Sequence, residues 1–370
     1  MIRVMSVFGT RPEAIKMAPV VRALHASPER FESLVCVTAQ HRTMLDQVLD
    51  VFGLHTDHDL DLMVPGQTPS GVAAGILEQL PPVLKRARPD VVLVQGDTMT
   101  TFGAAFAAYL EKIPSAHVEA GLRTGNRWHP FPEEMNRILT TRIATLHFAP
   151  TKQARDALLS EGIPESDVHL TGNTVIDALL QTVRPDYVFR TPALAGLDSA
   201  RRLVLVTTHR RESFGDPLRS ICGAVRELAN QFPDLQFVLP VHPNPHVKET
   251  VHASLSDLPG MYLIEPVDYV EFVHLMARAY LILTDSGGVQ EEAPSLGKPV
   301  LVLREVTERP EGVDAGTAVV VGTDRARIVS MASDLITCKD AYHRMASAVN
   351  PYGDGRASER ILGALAARFG

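Results

Sequence analysis

Cysteine is scarce in this 370-residue chain: Cys36, Cys222 and Cys338 are scattered, odd in number and in no metal-like spacing. That usage fits a reducing compartment. Long apolar runs are also missing. No window approaches the ~20 apolar residues that a membrane helix needs. The opening "MIRVMSVFGTRPEAIK" lacks the long apolar h-region of a signal peptide, so the cytoplasm is the expected address. Nor is there an excess of positive charge. The formal charge of −7 argues against wholesale binding to nucleic acid or to an anionic membrane, so any phosphate affinity must come from a local site.

Several nucleotide and metal motifs are absent as well. "FGTRPEAIK" (8–16) ends the first apolar run without the G-x-G-x-x-G of a dinucleotide fold, so bound NAD is not expected. "PSLGKP" resembles part of a P-loop, but Glu292 stands where its first glycine should be and Pro299 replaces the required Ser/Thr. The 14 histidines form no H-E-x-x-H and no compact ligand set, so no metal is expected. There is no short repeat or low-complexity tract.

What remains is a soluble composition, 45% hydrophobic and 21% charged, on a chain long enough for about two domains. Strands are expected at Arg3–Phe8, Leu34–Thr38, Asp90–Val94, Ser115–Val118, Leu146–Ala149, Arg202–Thr207, Gln236–Pro240, Leu281–Thr284, Val300–Leu303 and Ala318–Val321. Amphipathic stretches such as Pro69–Arg86, Pro132–Ala144 and Leu218–Gln231 lie between them. Near-continuous apolar strands alternating with helices predict an α/β protein of buried parallel sheets. The Pro-rich, polar stretch Val183–Ala200 interrupts the rhythm and reads as a linker. The expected layout is therefore two doubly wound Rossmann-like domains, 1–182 and 183–355, with a cleft between them. "NPYGDG" (350–355) breaks a helical region, after which a last helix, 356–370, returns to the first domain.

Open parallel sheets bind ligands beyond the carboxyl ends of their strands. Those points carry "FGTRPEAIK", "QGDT" (95–98), "HVEAGLRTGN" (117–126), "THRRES" (208–213), "VHPNP" (241–245) and "TDSGG" (284–288), an unusually polar set for the ends of apolar strands. Ser286, Gly287 and Gly288 let backbone N–H groups at a helix start approach a phosphate, or simply let strand and helix pack closely. Arg11 and Lys16 offer cations, and a guanidinium suits a diphosphate; the alternative is a surface ion pair of Arg11 with Glu13. Asp97 is a catalytic candidate or a helix N-cap. Glu119 closes an apolar run and needs a partner, with Arg123 the structural choice, or a function. Glu133 and Glu134 follow Pro132 in an ordinary helix opening that becomes a candidate through its neighbourhood. His209, beside Arg210 and Arg211, suits anion binding or proton transfer, whereas His242 is placed to cap a turn.

At these residues the chain resembles the non-hydrolysing UDP-N-acetylglucosamine 2-epimerases. The resemblance runs nearly end to end, through "FGTRPEAIKMAP", "TAQHRTMLDQVL", "HVEAGLRTGN", "PFPEEMNR", "TGNTVIDAL", "LTDSGGVQEEAPSLGKPVLVLREVTERPEGV" and "NPYGDG". It implies a GT-B-type fold with the active site in the interdomain cleft, a homodimer and no cofactor. The implied reaction interconverts UDP-GlcNAc and UDP-ManNAc, which supplies cell-surface polysaccharides, by elimination of UDP to a 2-acetamidoglucal. Asp97, Glu119 and Glu133 are the implied catalytic acids, with His209 beside the diphosphate. Arg11, Ser286, Gly287 and Gly288 are the implied phosphate holders and Glu292 the implied ribose acceptor. Lys16, His242 and Arg309 are further ligand-facing candidates. Gln40, Arg42 and Glu134 are candidates for a regulatory site that binds a second UDP-GlcNAc. There the chain departs from the family pattern, since Gly66 stands where a basic residue would precede Gln67-Thr68. A glycosyltransferase, a hydrolysing epimerase and a non-catalytic nucleotide-sugar sensor are the competing readings.

Overall fold

The computed structural model describes residues 1–370 except 39–41, 63, 65 and 211–212, and the side chains of 42–44. Gln40 and the side chain of Arg42 lie outside the described residues. The chain forms two compact units, Met1–Gln181 with Tyr352–Gly370, and Thr182–Pro351.

The first unit is built on seven strands: β1 (Ile2–Phe8), β2 (Phe31–Val37), β3 (His58–Asp59), β4 (Val91–Gln95), β5 (Ser115–Val118), β6 (Leu146–Ala149) and β7 (Val168–Leu170). They run parallel in the order β3-β2-β1-β4-β5-β6-β7. The burial of these elements follows from the sequence pattern. All of "VVLVQ" in β4 is buried, as a strand covered on both faces must be. The helices that cover it carry an apolar stripe. In Pro69–Ala87 the buried residues Val72, Ile76, Leu80, Val83 and Leu84 recur at helical spacing, each contributing ~1.5–3 kcal/mol by burial. Thr68 caps that helix by accepting the Gly71 N–H at 3.1 Å, and Arg88, in the left-handed region at φ 48°, ends it. The chain winds outward from β1 to β3 on one side and from β4 to β7 on the other, so the topological switch point lies between β1 and β4.

The second unit repeats this plan with β8 (Leu203–Thr207), β9 (Gln236–Pro240), β10 (Met261–Ile264), β11 (Leu281–Thr284), β12 (Val300–Val302) and β13 (Ala318–Val320). Their parallel order, β10-β9-β8-β11-β12-β13, places the switch point between β8 and β11. Residues 183–200, read from sequence as a linker, are pinned within this unit. Tyr187 stacks on His274 with ring centroids 3.8 Å apart, and the Glu271 carboxylate accepts the Thr191 N–H at 2.9 Å and the Thr191 hydroxyl at 2.6 Å.

The closing segment belongs to the first unit. Its helix Ala357–Phe369 packs against helix Arg11–His25, and the Tyr352 carbonyl accepts the Asn173 N–H at 2.7 Å. Among the described residues no helix is long and apolar enough to cross a membrane.

Candidate active site

In the first unit, the loops after β1 and β4 meet at the switch point and are held together by Glu13. The sequence allowed Glu13 as a surface partner of Arg11. Instead Glu13 is buried and turned inward. Its Oε2 accepts the N–H groups of Thr10 at 2.7 Å and Gly9 at 3.1 Å, while Oε1 accepts the Thr98 hydroxyl at 2.6 Å. Burial raises its pKa, and these bonds oppose the rise. Gly9 is required at this junction because a Cβ there would lie 1.9 Å from Thr38 Oγ1. Arg11, the first residue of its helix, is left exposed and has no ion pair among the described residues.

Asp97 was weighed as a helix cap, but the cap of Met99–Leu110 is its neighbour Thr98. That frees the Asp97 carboxylate, whose Oδ2 accepts two bonds from Arg137, at 2.9 Å from Nε and 2.6 Å from Nη2. The same guanidinium donates to Glu134 Oε2 at 3.1 Å. Glu134, almost wholly buried, also accepts the backbone N–H groups of Thr124 and Gly125 at 3.0 Å each, which fixes that loop. Glu133 opens the helix Glu133–Ile143, and its Oε2 is buried with no hydrogen-bond partner.

Glu119 takes a partner other than the expected one. Arg123 pairs with Glu161 at 2.6 Å. Both Glu119 oxygens instead meet Lys16 Nζ, at 2.6 and 2.7 Å, and Asn173 Nδ2 donates to Oε1 at 3.0 Å. Gln95, the last residue of β4, also donates to it. Glu119 sits in the left-handed region at φ 64°, an unusual and strained choice for a residue with a long side chain. A Cβ on Gly96 would lie 3.8 Å from Glu119 Oε2, so Glu119 lies beside the turn that carries Asp97. Behind that turn, His117 donates from Nε2 to the Gly96 carbonyl at 2.7 Å. Burial pulls the pKa of His117 down to about 4, so the ring is neutral and its tautomer is fixed by the carbonyl it meets.

In the second unit, the turn after β11 faces the loop after β8. Ser286 stands at the N-cap of Gly287–Glu292 without making a side-chain capping bond. The absent side chain of Gly287 leaves room for two cations. A Cβ there would lie 3.9 Å from both Arg210 Nη2 and Arg309 Nη2. Arg210 is held by Glu308 at 3.3 Å and Arg309 by Glu291, so both guanidinia are oriented beside the glycine turn. Gly288 lies beside Glu292, whose Oε2 would be 3.7 Å from a Cβ at Gly288. Glu292 Oε1 accepts the Tyr269 hydroxyl at 3.4 Å. Burial, and then the Glu292 charge, push the Tyr269 pKa well above its ordinary value, so this tyrosine remains a donor. His209 Nδ1 lies 2.9 Å from Asp285 Oδ1. His242 Nδ1 accepts the Asn244 N–H at 3.2 Å, the expected turn cap.

The structure thus gathers Lys16, Asp97, Glu119 and Glu134 around one switch point, with Glu133 next to Glu134 at the start of its helix, and His209, Ser286, Gly287, Gly288, Glu292 and Arg309 around the other. Sequence reasoning missed Asp285, Arg137, Asn173 and Gln95. Asp285 had a signal, since it directly follows the buried "LILT" of β11. Among the described residues no group of three or more His, Cys, Asp or Glu is arranged to hold a metal ion.

Two open parallel sheets, one with carboxylates at its switch point and the other with cations around a glycine turn, define an α/β protein of GT-B type suited to a phosphorylated ligand. The family model described as UDP-N-acetylglucosamine 2-epimerase matches residues 22–366, and the chain belongs to that family. It is 55% identical to the UDP-N-acetylglucosamine 2-epimerase of Yersinia pestis, over 98% of each chain. The crystal structure of UDP-GlcNAc 2-epimerase from Neisseria meningitidis bound to UDP-GlcNAc is 46% identical, with a TM-score of 0.88, and the match covers 99% of this chain and 100% of that one. The Methanocaldococcus jannaschii UDP-GlcNAc 2-epimerase in complex with UDP-GlcNAc and UDP is 34% identical, with a TM-score of 0.80 and coverage of 99% and 100%.

Proposed function

We propose that the protein interconverts UDP-GlcNAc and UDP-ManNAc by eliminating UDP and adding it back. The observation that carries this reading is the end-to-end match to the Neisseria meningitidis enzyme bound to UDP-GlcNAc. Cytoplasmic residence, a homodimeric state and a role in cell-surface polysaccharide synthesis belong to the same reading and rest on the family.

The chemistry explains why two sets of groups are needed. No carbonyl adjoins C2 of an N-acetylhexosamine, so its hydrogen is not acidic in the resting sugar. It becomes removable when the anomeric C–O bond breaks as well. The C2–H pair becomes the C1=C2 bond of a 2-acetamidoglucal, the C1–O pair leaves on the β-phosphate, and the proton passes to a carboxylate. Arg309 and the N–H groups of Gly287 and Gly288 meet the departing negative charge, usually a large term in such catalysis. Glu292 receives the ribose hydroxyls. Re-addition with the proton delivered to the opposite face gives the epimer, so one fixed carboxylate facing a fixed intermediate would only restore the substrate. Among the three carboxylates, Asp97 and Glu119 each bear a cation, Arg137 and Lys16. Glu133 has an unpartnered oxygen, which makes it the group best placed to exchange a proton.

Incubating the protein with UDP-GlcNAc alone and separating the products tests the reading. UDP-ManNAc is expected. Release of UDP with free ManNAc would identify a hydrolysing enzyme, and an unchanged substrate would rule out both. The variants Asp97→Asn, Glu119→Gln and Glu133→Gln should lower kcat by about 10²–10⁴-fold, the range a positioned acid or base supplies. UDP affinity, measured by calorimetry, should change little. Loss of UDP affinity with kcat retained would make these groups positioning residues only.

A further inference from the structure

The carboxylate behind His209 is a heavily bonded buried acid of the second unit. Thr207 and Thr284 are register partners on neighbouring parallel strands, so the residue after Thr284 must sit against the chain leaving β8. That residue is Asp285, fully buried. Its two oxygens differ in their partners. Oδ2 accepts the N–H groups of His209 and Arg210 at 2.9 Å each and the Ser213 hydroxyl at 3.1 Å. Oδ1 faces the His209 ring, 2.9 Å from Nδ1, and shares the His209 N–H only at a longer 3.2 Å. Burial alone would raise the Asp285 pKa, but the bonds from His209 and Arg210 outweigh it and the net shift is downward. An ionised carboxylate can only accept, so Nδ1 must carry a proton. The other ring nitrogen, Nε2, then points away from the carboxylate on a half-exposed ring.

We propose that Asp285 is a positioning residue, which fixes His209 with Nδ1–H turned inward so that Nε2 is the nitrogen presented to the ligand's diphosphate. The inference deepens the reading above and rests on it for the identity of that anion. A ring protonated at both nitrogens then donates from Nε2 to the departing phosphate oxygen, with its charge supported from behind, as carboxylates behind functional histidines do elsewhere.

The division of labour between the oxygens makes a conservative variant informative. In Asp285→Asn, the amide oxygen must occupy the Oδ2 position, because three donors converge there. The NH₂ group then faces His209 Nδ1 and requires a lone pair on it. The loop keeps its backbone bonds, but the ring is driven to the opposite tautomer, with its proton on Nε2. ¹⁵N NMR of ring-labelled histidine in the full-length protein, with His209 assigned by its loss in His209→Asn, reads this directly. The wild type should show a protonated Nδ1, and Asp285→Asn an unprotonated, acceptor-type Nδ1. The variant should lose about 10- to 100-fold in kcat, the usual cost of removing such an outer partner, with KM little changed. Adding His209→Asn to it should cost little more, because the two residues act as one unit.

A wild-type His209 with an unprotonated Nδ1 overturns the proposal, and so does an Asp285→Asn protein that keeps Nδ1–H. Losses that multiply in the double variant also overturn it. If Asp285→Asn fails to fold, the wild-type spectrum alone decides. Failure of the wild type to epimerise UDP-GlcNAc would defeat the functional reading instead, since the spectrum reports the His209–Asp285 arrangement without turnover.

Discussion

His117 lies behind the turn that carries Asp97, and its protonation couples the site's integrity to pH. Its pKa falls from 6.5 to about 4 in the folded protein. The unfolded chain therefore binds a proton between those values that the folded chain refuses. Stability from His117 is complete above about pH 6.5 and drains away as pH falls toward 4, by on the order of 3 kcal/mol in all. His117→Gln retains a donor for the Gly96 carbonyl and cannot titrate. Denaturant unfolding between pH 7 and 4 should thus be less pH-dependent in the variant than in the wild type. The raised carboxyls of Glu13 and Asp177 act in the opposite direction, and His147, also lowered to about 4, acts in the same direction as His117. All three are present in both proteins, so the difference reports His117 together with its charge coupling to His147. Equal slopes would show that the ring is charged or hydrated in the folded state. At this scale the sequence marked which residues matter better than what each one touches. Glu119 sits four residues from Arg123 yet pairs with Lys16, 103 residues away. Asp97 looked like a cap because aspartate caps helices well, but Thr98 reached that position first. Long-range partners leave no local periodicity to read.

At the scale of elements, the closing helix is held by a cap borrowed from another helix. Arg356 makes no side-chain cap for Ala357–Phe369. Asp177, on helix Thr174–Thr182, accepts the N–H groups of Ser358 at 2.8 Å and Ala357 at 3.1 Å in its place. Asp177→Ala leaves two buried donors unpaired and should cost about 1–3 kcal/mol. Hydrogen exchange at Ala357 and Ser358 should rise together with the loss of stability. Exchange unchanged from wild type would show that water caps the helix as well as Asp177 does. The central strands were legible from sequence to within a few residues, since "VVLVQ" and "LVLVT" are wholly buried. Three strands were not: β3 (His58–Asp59), β7 (Val168–Leu170) and β10 (Met261–Ile264). All three are sheet edges. Edge strands are short and only partly covered, so they carry neither the continuous apolar run of a buried strand nor enough residues to show alternation. The stretch 183–200 was read as a linker for a related reason. Its proline and polar content marks irregular backbone, and irregular backbone can still be tied down by side chains such as Glu271.

In the whole molecule each unit carries its own polar cluster at its switch point, carboxylates in the first and cations beside a glycine turn in the second. The proposed reaction calls for both kinds of group, because C2 releases its hydrogen only as the anomeric bond opens. The polar strand ends, and the domain in which each falls, were visible in the sequence, but the switch points that they flank came only from the strand orders of the two sheets. The central claim is that the C2 hydrogen leaves as a proton and a solvent-derived one returns on the other face. Turnover of UDP-GlcNAc in D₂O, with no nicotinamide added and the product read by mass spectrometry and proton NMR, tests this most directly. The UDP-ManNAc formed should carry deuterium at C2; an epimerised product that retains protium there would contradict the account.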